Sequence, residues 1–266
     1  MMRTVRLGWV LLLLAGVAGA ETQAERGKRV VDEALAALGG ERFLAMQDRV
    51  ERGRFYSFYR ERLSGLARAV VYTRYLTRPE PPERAFFGLR ERQVFGKKED
   101  VAIVLTENTA HEITFRGARP LPDEYLDRFK ESALRNALYI LRMRLGEPGL
   151  LAESRGSDIV DNQPVEAVEF TDPDNRMVTV YFHHSTKLPV RQVTKRREPG
   201  KNYAIEEVTT FSRYRDVGGG VMWPHTLLRT RDGEKVFEMF AESVEINQGL
   251  TDNLFVLPAD LKVLKK

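Results

Sequence analysis

The stretch VMWPHTLLRTRDGEKVFEMFAESVEI, residues 221–246, decides how this chain folds. Two runs within it, 221–230 and 235–246, carry the β-branched and aromatic residues that suit a pleated, half-buried surface. Asp232-Gly233 between them is a pair that accepts the left-handed backbone of a tight hairpin turn. The region therefore reads as two antiparallel strands. Along 235–245, Val236 and Phe240 lie opposite Phe237 and Met239, which leaves neither face polar. A strand of that kind is covered on both sides or borders a cavity.

The period of two extends outward from this hairpin. Runs at 165–171, 176–184, 189–196 and 203–214 precede it, and a short run at 253–257 follows. An earlier block occupies 50–60, 66–77, 84–95, 101–107 and 111–115. Turn chemistry separates strands at Asp172-Pro173-Asp174-Asn175, Glu198-Pro199-Gly200 and Gly218-Gly219-Gly220. In 176–184, Met177, Val178, Val180, Tyr181 and Phe182 again leave no polar face.

Two stretches have helical spacing instead. At 24–38, Val30, Val31, Ala34, Leu35 and Leu38 share one face, and Gly39-Gly40 stops the run. Between Pro122 and Gly146, residues 123–145 predict one long helix whose stripe is Leu126, Phe129, Ala133, Ala137, Ile140 and Leu141. The helix has a charged back opposite this stripe, and Asp123 and Glu124 in its first turn and Arg142 and Arg144 in its last suit the macrodipole. Eleven or twelve strands in sequential order, with a helix before and a helix amid them, make a mainly β, α+β chain. The arrangement expected is an antiparallel meander wrapped partly around helices.

Residues 1–20 place Arg3 and Arg6 before an apolar run, 7–17, that ends in Ala18-Gly19-Ala20. This is the pattern of a cleaved secretory signal, too short for a spanning helix. Cleavage near Ala20 would release an exported, periplasmic protein of residues 21–266, read as a single domain. A retained signal would tether the same protein to the membrane. The 266 residues include no Cys, which excludes a thiol nucleophile, a zinc–thiolate site and disulfides. The formal charge of +4 is shared with the signal, and no basic stripe marks a nucleic-acid partner.

Further local passages carry a resemblance. Val178-Thr179-Val180-Tyr181-Phe182 runs into Ser185-Thr186-Lys187-Leu188-Pro189-Val190-Arg191, a strand, a small turn with T-x-L-P, and a strand. Gly220-Val221-Met222-Trp223-Pro224-His225 enters the final hairpin, Val244-Glu245-Ile246-Asn247 leaves it, and Leu254-Phe255-Val256-Leu257-Pro258 closes the chain. With the order of elements, these passages resemble the LolA/LolB-type periplasmic lipoprotein carriers and the wider outer-membrane lipoprotein-sorting-like superfamily. The resemblance implies an open antiparallel half-barrel whose concave face is covered by helices. It also implies an apolar space between sheet and helices that holds acyl chains. The candidates to line it are Phe129, Ile140, Leu141, Met177, Phe182, Trp223, Phe237 and Met239.

Other constellations are weaker. His183 and His184 are adjacent on a strand and face opposite ways, so with His111 and His225 they form no metal motif. Glu206-Glu207 and Asp158/Asp161 are coincidental carboxylate neighbours, and no nucleophile elbow or phosphate loop accompanies them. The strand arginines Arg52, Arg54, Arg68, Arg74, Arg90, Arg92, Arg229 and Arg231 belong mostly to the solvent face. A minority at a cavity mouth could pair with lipid phosphate or carboxylate. The expected function is a non-catalytic periplasmic carrier or holder of a lipid or acylated lipoprotein. It is expected to be monomeric, to use no cofactor or metal, and to meet envelope membrane components. An envelope adaptor with a filled core, and a hydrolase, are the alternatives.

Overall fold

The computed structural model describes residues 21–96, 99–197, 202–259 and 261–264. The export signal read over 1–20 and the turn read at Glu198-Pro199-Gly200 lie outside the described residues. The chain opens with helix α1, Gln23–Leu38, started by a capping box in which Thr22 and Glu25 satisfy each other's backbone N–H groups. Gly39, in the left-handed region at φ 119°, ends it, and a short α2, Glu41–Leu44, follows.

Thirteen strands then build one antiparallel sheet. The first block is β1 (Asp48–Tyr59), β2 (Arg62–Tyr75), β3 (Leu89–Phe95), β4 (Val101–Leu105), β5 (Ala110–Thr114) and β6 (Gly117–Pro120). The second is β7 (Leu151–Val160), β8 (Gln163–Thr171), β9 (Met177–His183), β10 (Pro189–Arg197), β11 (Ala204–Asp216), β12 (Met222–Arg231) and β13 (Glu234–Ile246). Their order is β6-β5-β4-β3-β2-β1-β13-β12-β11-β10-β9-β8-β7. Each block is a meander, and the blocks join where β13 pairs with β1. The sheet stays open because β6 and β7 are opposite edges.

That topology makes the mid-chain segment a bridge. The chain leaves one edge at β6 and re-enters at the other edge with β7, so the intervening residues must cross the sheet. They do so as α3, Asp123–Leu134, then Ala137–Tyr139, which runs into a π-helical turn at Ile140–Arg144. The single long helix expected over 123–145 is thus broken. Asn136 is extended (φ −76°, ψ 126°) and its side chain accepts the N–H of Tyr139 at 3.0 Å, a fresh N-cap in mid-stripe. The last turn expected to carry Arg142 and Arg144 at a helix end changes too. Arg142 and Arg144 are buried, and Arg144 donates to the Leu134 carbonyl at the end of α3.

The main core lies between α1, α2, the turn after Asn136 and the second strand block. It contains Val30, Leu38, Phe43, Leu138, Ile140, Leu141, Val180, Phe182, Phe211 and Trp223. Gly27 lets α1 approach β7 closely, because a Cβ there would stand 2.4 Å from the Ala152 carbonyl oxygen. Smaller clusters sit under α3, around Leu89, Leu134, Tyr139 and Met143 and around Leu105, Ala110 and Leu126.

Several expected boundaries move. β6 and β7 were not expected: β6 is very short, and polar residues dilute the pattern of β7, which is held by pairing with β8. The run at 253–257 is instead a 3₁₀ turn, Asp252–Phe255. β13 is already paired on both sides, by β1 and β12, so that segment finds no strand edge there and buries Phe255 instead. β3 begins at Leu89, five residues later than read, and leaves Phe86 and Phe87 in a loop. The hairpin at 232–233 forms as a two-residue turn with both residues at positive φ (49° and 84°). Among the described residues no helix is long and apolar enough to cross a membrane.

Candidate binding site beneath the mid-chain helix

Alternation assigns the inner face. On β9, Val178, Val180 and Phe182 are buried, while Met177 stands on the outer face, 52% exposed. On β13, Met239 and Ala241 are buried, and a bulge opposite Arg52/Gly53 puts Val244 on the same face. The second apolar face read in these strands is therefore an outer, half-exposed one. On β13 it is relieved by a Tyr56–Phe240 edge contact at 5.8 Å.

Where α3 crosses this inner face it does not seal it. A pocket of about 200 Å³ remains, roofed by Phe129, Ser132, Ala133, Asn136, Leu138 and Tyr139. Its floor comes from β1, β2, β3, β12 and β13, with Leu89, Trp223, Pro224, Leu227 and Met239 as the apolar part. Of the eight cavity candidates, Phe129, Trp223 and Met239 line this pocket. Ile140, Leu141 and Phe182 belong to the packed core, and Met177 is outside altogether. Phe237, two residues beyond Met239, is half-buried against Phe55 at 6.0 Å.

The floor also holds charge. Arg49 donates to the Tyr75 hydroxyl and to Thr73 Oγ1 at 3.2 Å, and its guanidinium lies 4.2 Å from the Trp223 ring centroid. Arg49 Nε sits 3.0 Å from Glu51 Oε2, close enough for an ion pair but without hydrogen-bond alignment. Trp223 Nε1 donates to Glu51 Oε1 at 2.8 Å. Burial opposes the Arg49 charge, yet Glu51, Tyr75 and Glu91 together outweigh it and raise its pKa. Glu91 has the opposite balance. Burial pushes its carboxyl above the usual range, against the pull of Gln93 and Arg49. These polar residues were missed in the sequence. The available signal was the i, i+2 spacing of Arg49/Glu51 and Thr73/Tyr75, which puts each pair on one face of its strand.

On the far side of α3 the pocket meets a polar cleft of about 550 Å³, and Ser132 and Asn136 line both. Its strand wall is Gln192, Thr194, Arg196 and Arg197 of β10, Glu207 and Thr209 of β11, and Arg229 and Arg231 of β12. Its helix wall includes Glu124, Asp127, Arg128, Glu131 and Arg135. Glu207 accepts from Arg231 at 2.8 Å and from Arg196 at 3.3 Å. Burial alone would raise its carboxyl, but these guanidinium groups hold it below the usual range. Gln192 accepts the Ala137 N–H at 2.7 Å and so ties the restarted helix to β10. Of the strand arginines, Arg229 and Arg231 thus face the cleft, whereas Arg52 and Arg54 pair across the outer face with Glu245 and Glu242.

Chemistry of other kinds finds no assembled site. Among the described residues no group of three or more His, Asp or Glu is placed to hold a metal ion. His183 accepts backbone N–H groups of its own turn, and His225 contacts the Trp223 carbonyl. Glu206 pairs with Lys195 at 3.2 Å on the opposite side of β11 from Glu207.

No family model and no curated protein matches the chain. Among solved structures it is similar to an outer membrane lipoprotein-sorting protein domain of Vibrio parahaemolyticus, at 13% identity and TM-score 0.57, over 87% of this chain and 97% of that one. It is similar to a DUF1329 family protein of Desulfovibrio piger, at 13% identity and TM-score 0.56, over 86% and 96% of the two chains. It is also similar to a LolA superfamily protein of Nitrosomonas europaea, at 10% identity and TM-score 0.54, over 86% and 97%. The likeness is one of fold: this chain has a LolA-like fold.

Proposed function

We propose that this chain, acting as one unit over 21–266, is a non-catalytic carrier of the bacterial envelope. On this reading it holds an acyl chain of a lipid or an acylated protein between α3 and the inner face of the sheet. One observation carries the reading: beneath α1 the core is filled, whereas beneath α3 a pocket of mixed lining, apolar around Phe129, Leu227 and Met239 and charged at Arg49, Glu51 and Glu91, stays open and adjoins a polar cleft. An adaptor with a filled core has no use for that space, since an unfilled gap forfeits packing. The pocket is smaller than the ~300–1,000 Å³ of ordinary ligand sites. A bound chain must therefore continue into the cleft or lift α3 about its break at Asn136.

A thermal-shift titration with lysolipids and acylated peptides tests this. A ligand at a hundredfold excess over its Kd adds about 2.7 kcal/mol of apparent stability, several degrees in Tm for a domain of this size. Ala133→Phe, which fills the pocket from its roof, is expected to abolish the shift while the unliganded Tm stays near that of the wild type. A flat response of the wild type to every acylated ligand would leave the adaptor reading.

A further inference from the structure

We propose that the cleft beside α3 is a headgroup site, in which Arg229 binds the phosphate or carboxylate of an amphiphile whose chain enters the pocket. This inference rests on the carrier reading. Its basis is the order of residues along one strand. On the inner face of β12, Leu227 lines the apolar pocket, while Arg229 and Arg231 line the cleft. Each step of two residues along a strand is about 7 Å, so the surface passes from apolar to cationic within the span of a lipid's ester region. The neighbouring strand follows suit: Leu227 pairs with Phe211, Arg229 with Thr209 and Arg231 with Glu207.

Among the cleft's cations without an ion pair among the described residues, Arg128 and Arg197 are exposed, whereas Arg229 is half-buried. Arg231 and Arg196 are engaged by Glu207, and Arg135 by Glu131. Arg176 reaches Glu131 as well, at 2.8 Å. The Arg229 guanidinium makes no hydrogen bond or ion pair among the described residues, and it lies 5.8 Å from the centroid of the Phe237 ring. It is half-buried, and desolvation pulls its pKa down against the charge of Glu207. A half-buried guanidinium with no protein partner is free to take one, and its planar fork fits the two oxygens of a phosphate or carboxylate. The cleft as a whole presents Arg128, Arg135, Arg196, Arg197, Arg229 and Arg231 against Glu124, Asp127, Glu131 and Glu207. Of those carboxylates, Glu131 and Glu207 are already paired, and Glu124 and Asp127 lie on the exposed outer turns of α3. A neutral headgroup would leave Arg229 without an anionic partner, so the site discriminates by charge.

Isothermal titration of the protein with lysophosphatidic acid and with a monoacylglycerol of the same chain length separates the possibilities. The expected result is about tenfold tighter binding of the phosphate-bearing lipid, the size of one charge-assisted hydrogen bond. Arg229→Gln is expected to erase that ratio without weakening monoacylglycerol binding, and Arg229→Lys to restore part of it. The wild-type ratio alone keeps the test decisive should a variant fail to fold. Equal affinities for the two lipids, or a ratio that survives in Arg229→Gln, would overturn the headgroup site and leave the carrier reading standing. Binding of neither lipid to the wild type would remove both. Inorganic phosphate alone binding as tightly as lysophosphatidic acid would make this a free-anion site and overturn the lipid assignment.

Discussion

The two halves of the mid-chain bridge draw on one stripe of apolar residues and meet opposite fates. In α3, Leu126 and Leu134 are buried, but Phe129 and Ala133 roof a pocket and Arg128 points to solvent. After Asn136 every residue from Ala137 to Arg144 is buried, including both arginines. Arg144 is 2% exposed and is bound by Glu147 at 2.6 Å and Asp172 at 2.8 Å. Asp172 in turn caps its own turn and receives Arg176 at 3.0 Å. One half is an anchor, with Arg144 paired to carboxylates inside the protein and Arg142 held by the Met46 carbonyl. The other is a cover that leaves space beneath it. A helical stripe reports that a segment has an apolar side, and the neighbours decide whether that side is sealed.

The contrast is open to direct attack. Leu141→Asp puts an unpaired carboxylate in the main core and is expected to cost on the order of 4 kcal/mol or more, or to prevent folding. Phe129→Asp can turn its carboxylate toward the open pocket and should cost clearly less, about 1–3 kcal/mol. Chemical denaturation of both variants checks the ranking, and equal losses would mean that α3 is as firmly seated as the turn after it.

The anchor's buried charges should make it sensitive to acid. Arg144→Met is expected to cost about 3 kcal/mol, because Glu147 would be left buried without its cation and Asp172 would keep only Arg176. Burial alone would raise the Asp172 carboxyl, but hydrogen bonds from Arg144 and Arg176 outweigh it and hold the group below its ordinary value of 3.8. A carboxylate depressed in the folded state adds stability that is complete above its unfolded pKa of about 3.9. That stability is lost as pH falls through the lower folded value. Denaturation midpoints measured from pH 6 down to pH 2 should therefore fall on acidification, and the part of the fall due to Asp172 should be smaller in Arg144→Met. The smallest effect belongs to the cover's solvent side. Arg128→Ala should change stability by less than about 0.5 kcal/mol, and a larger loss would show that the outer face of α3 is packed against something.

Element types were legible because they are written locally. The turn at Asp232-Gly233, the stop at Gly39 and the strand character of β9 and β13 each depend on a few adjacent residues, and each forms. The site was less legible. Phe129, Trp223 and Met239 were picked out as apolar residues in an amphipathic setting, and they meet at one pocket. Ile140, Leu141 and Phe182 carried the same local signal and ended in the filled core. Met177 carried it on the outer face, because β9 has apolar residues at both parities and only the sheet's partners choose between them. Arg142 and Arg144 looked like a macrodipole-friendly end until Glu147, Asp172 and the Met46 carbonyl enclosed them.

By itself, then, the sequence determined that this is an antiparallel β chain with an opening helix and a helical interruption. Side-chain period, turn residues and caps act over a few residues and need no partner. Only the tertiary structure decided that β13 pairs with β1, that the interruption must cross the sheet, and that it breaks at Asn136 over a pocket. It also brought Trp223 onto Glu51, 172 residues away in sequence, and left Arg229 facing a cleft with no ion-pair partner among the described residues. Strand pairing is non-local, and a shift of register by one residue would turn every side chain of a strand to its other face. Which charges end up buried together is therefore settled when the strands meet.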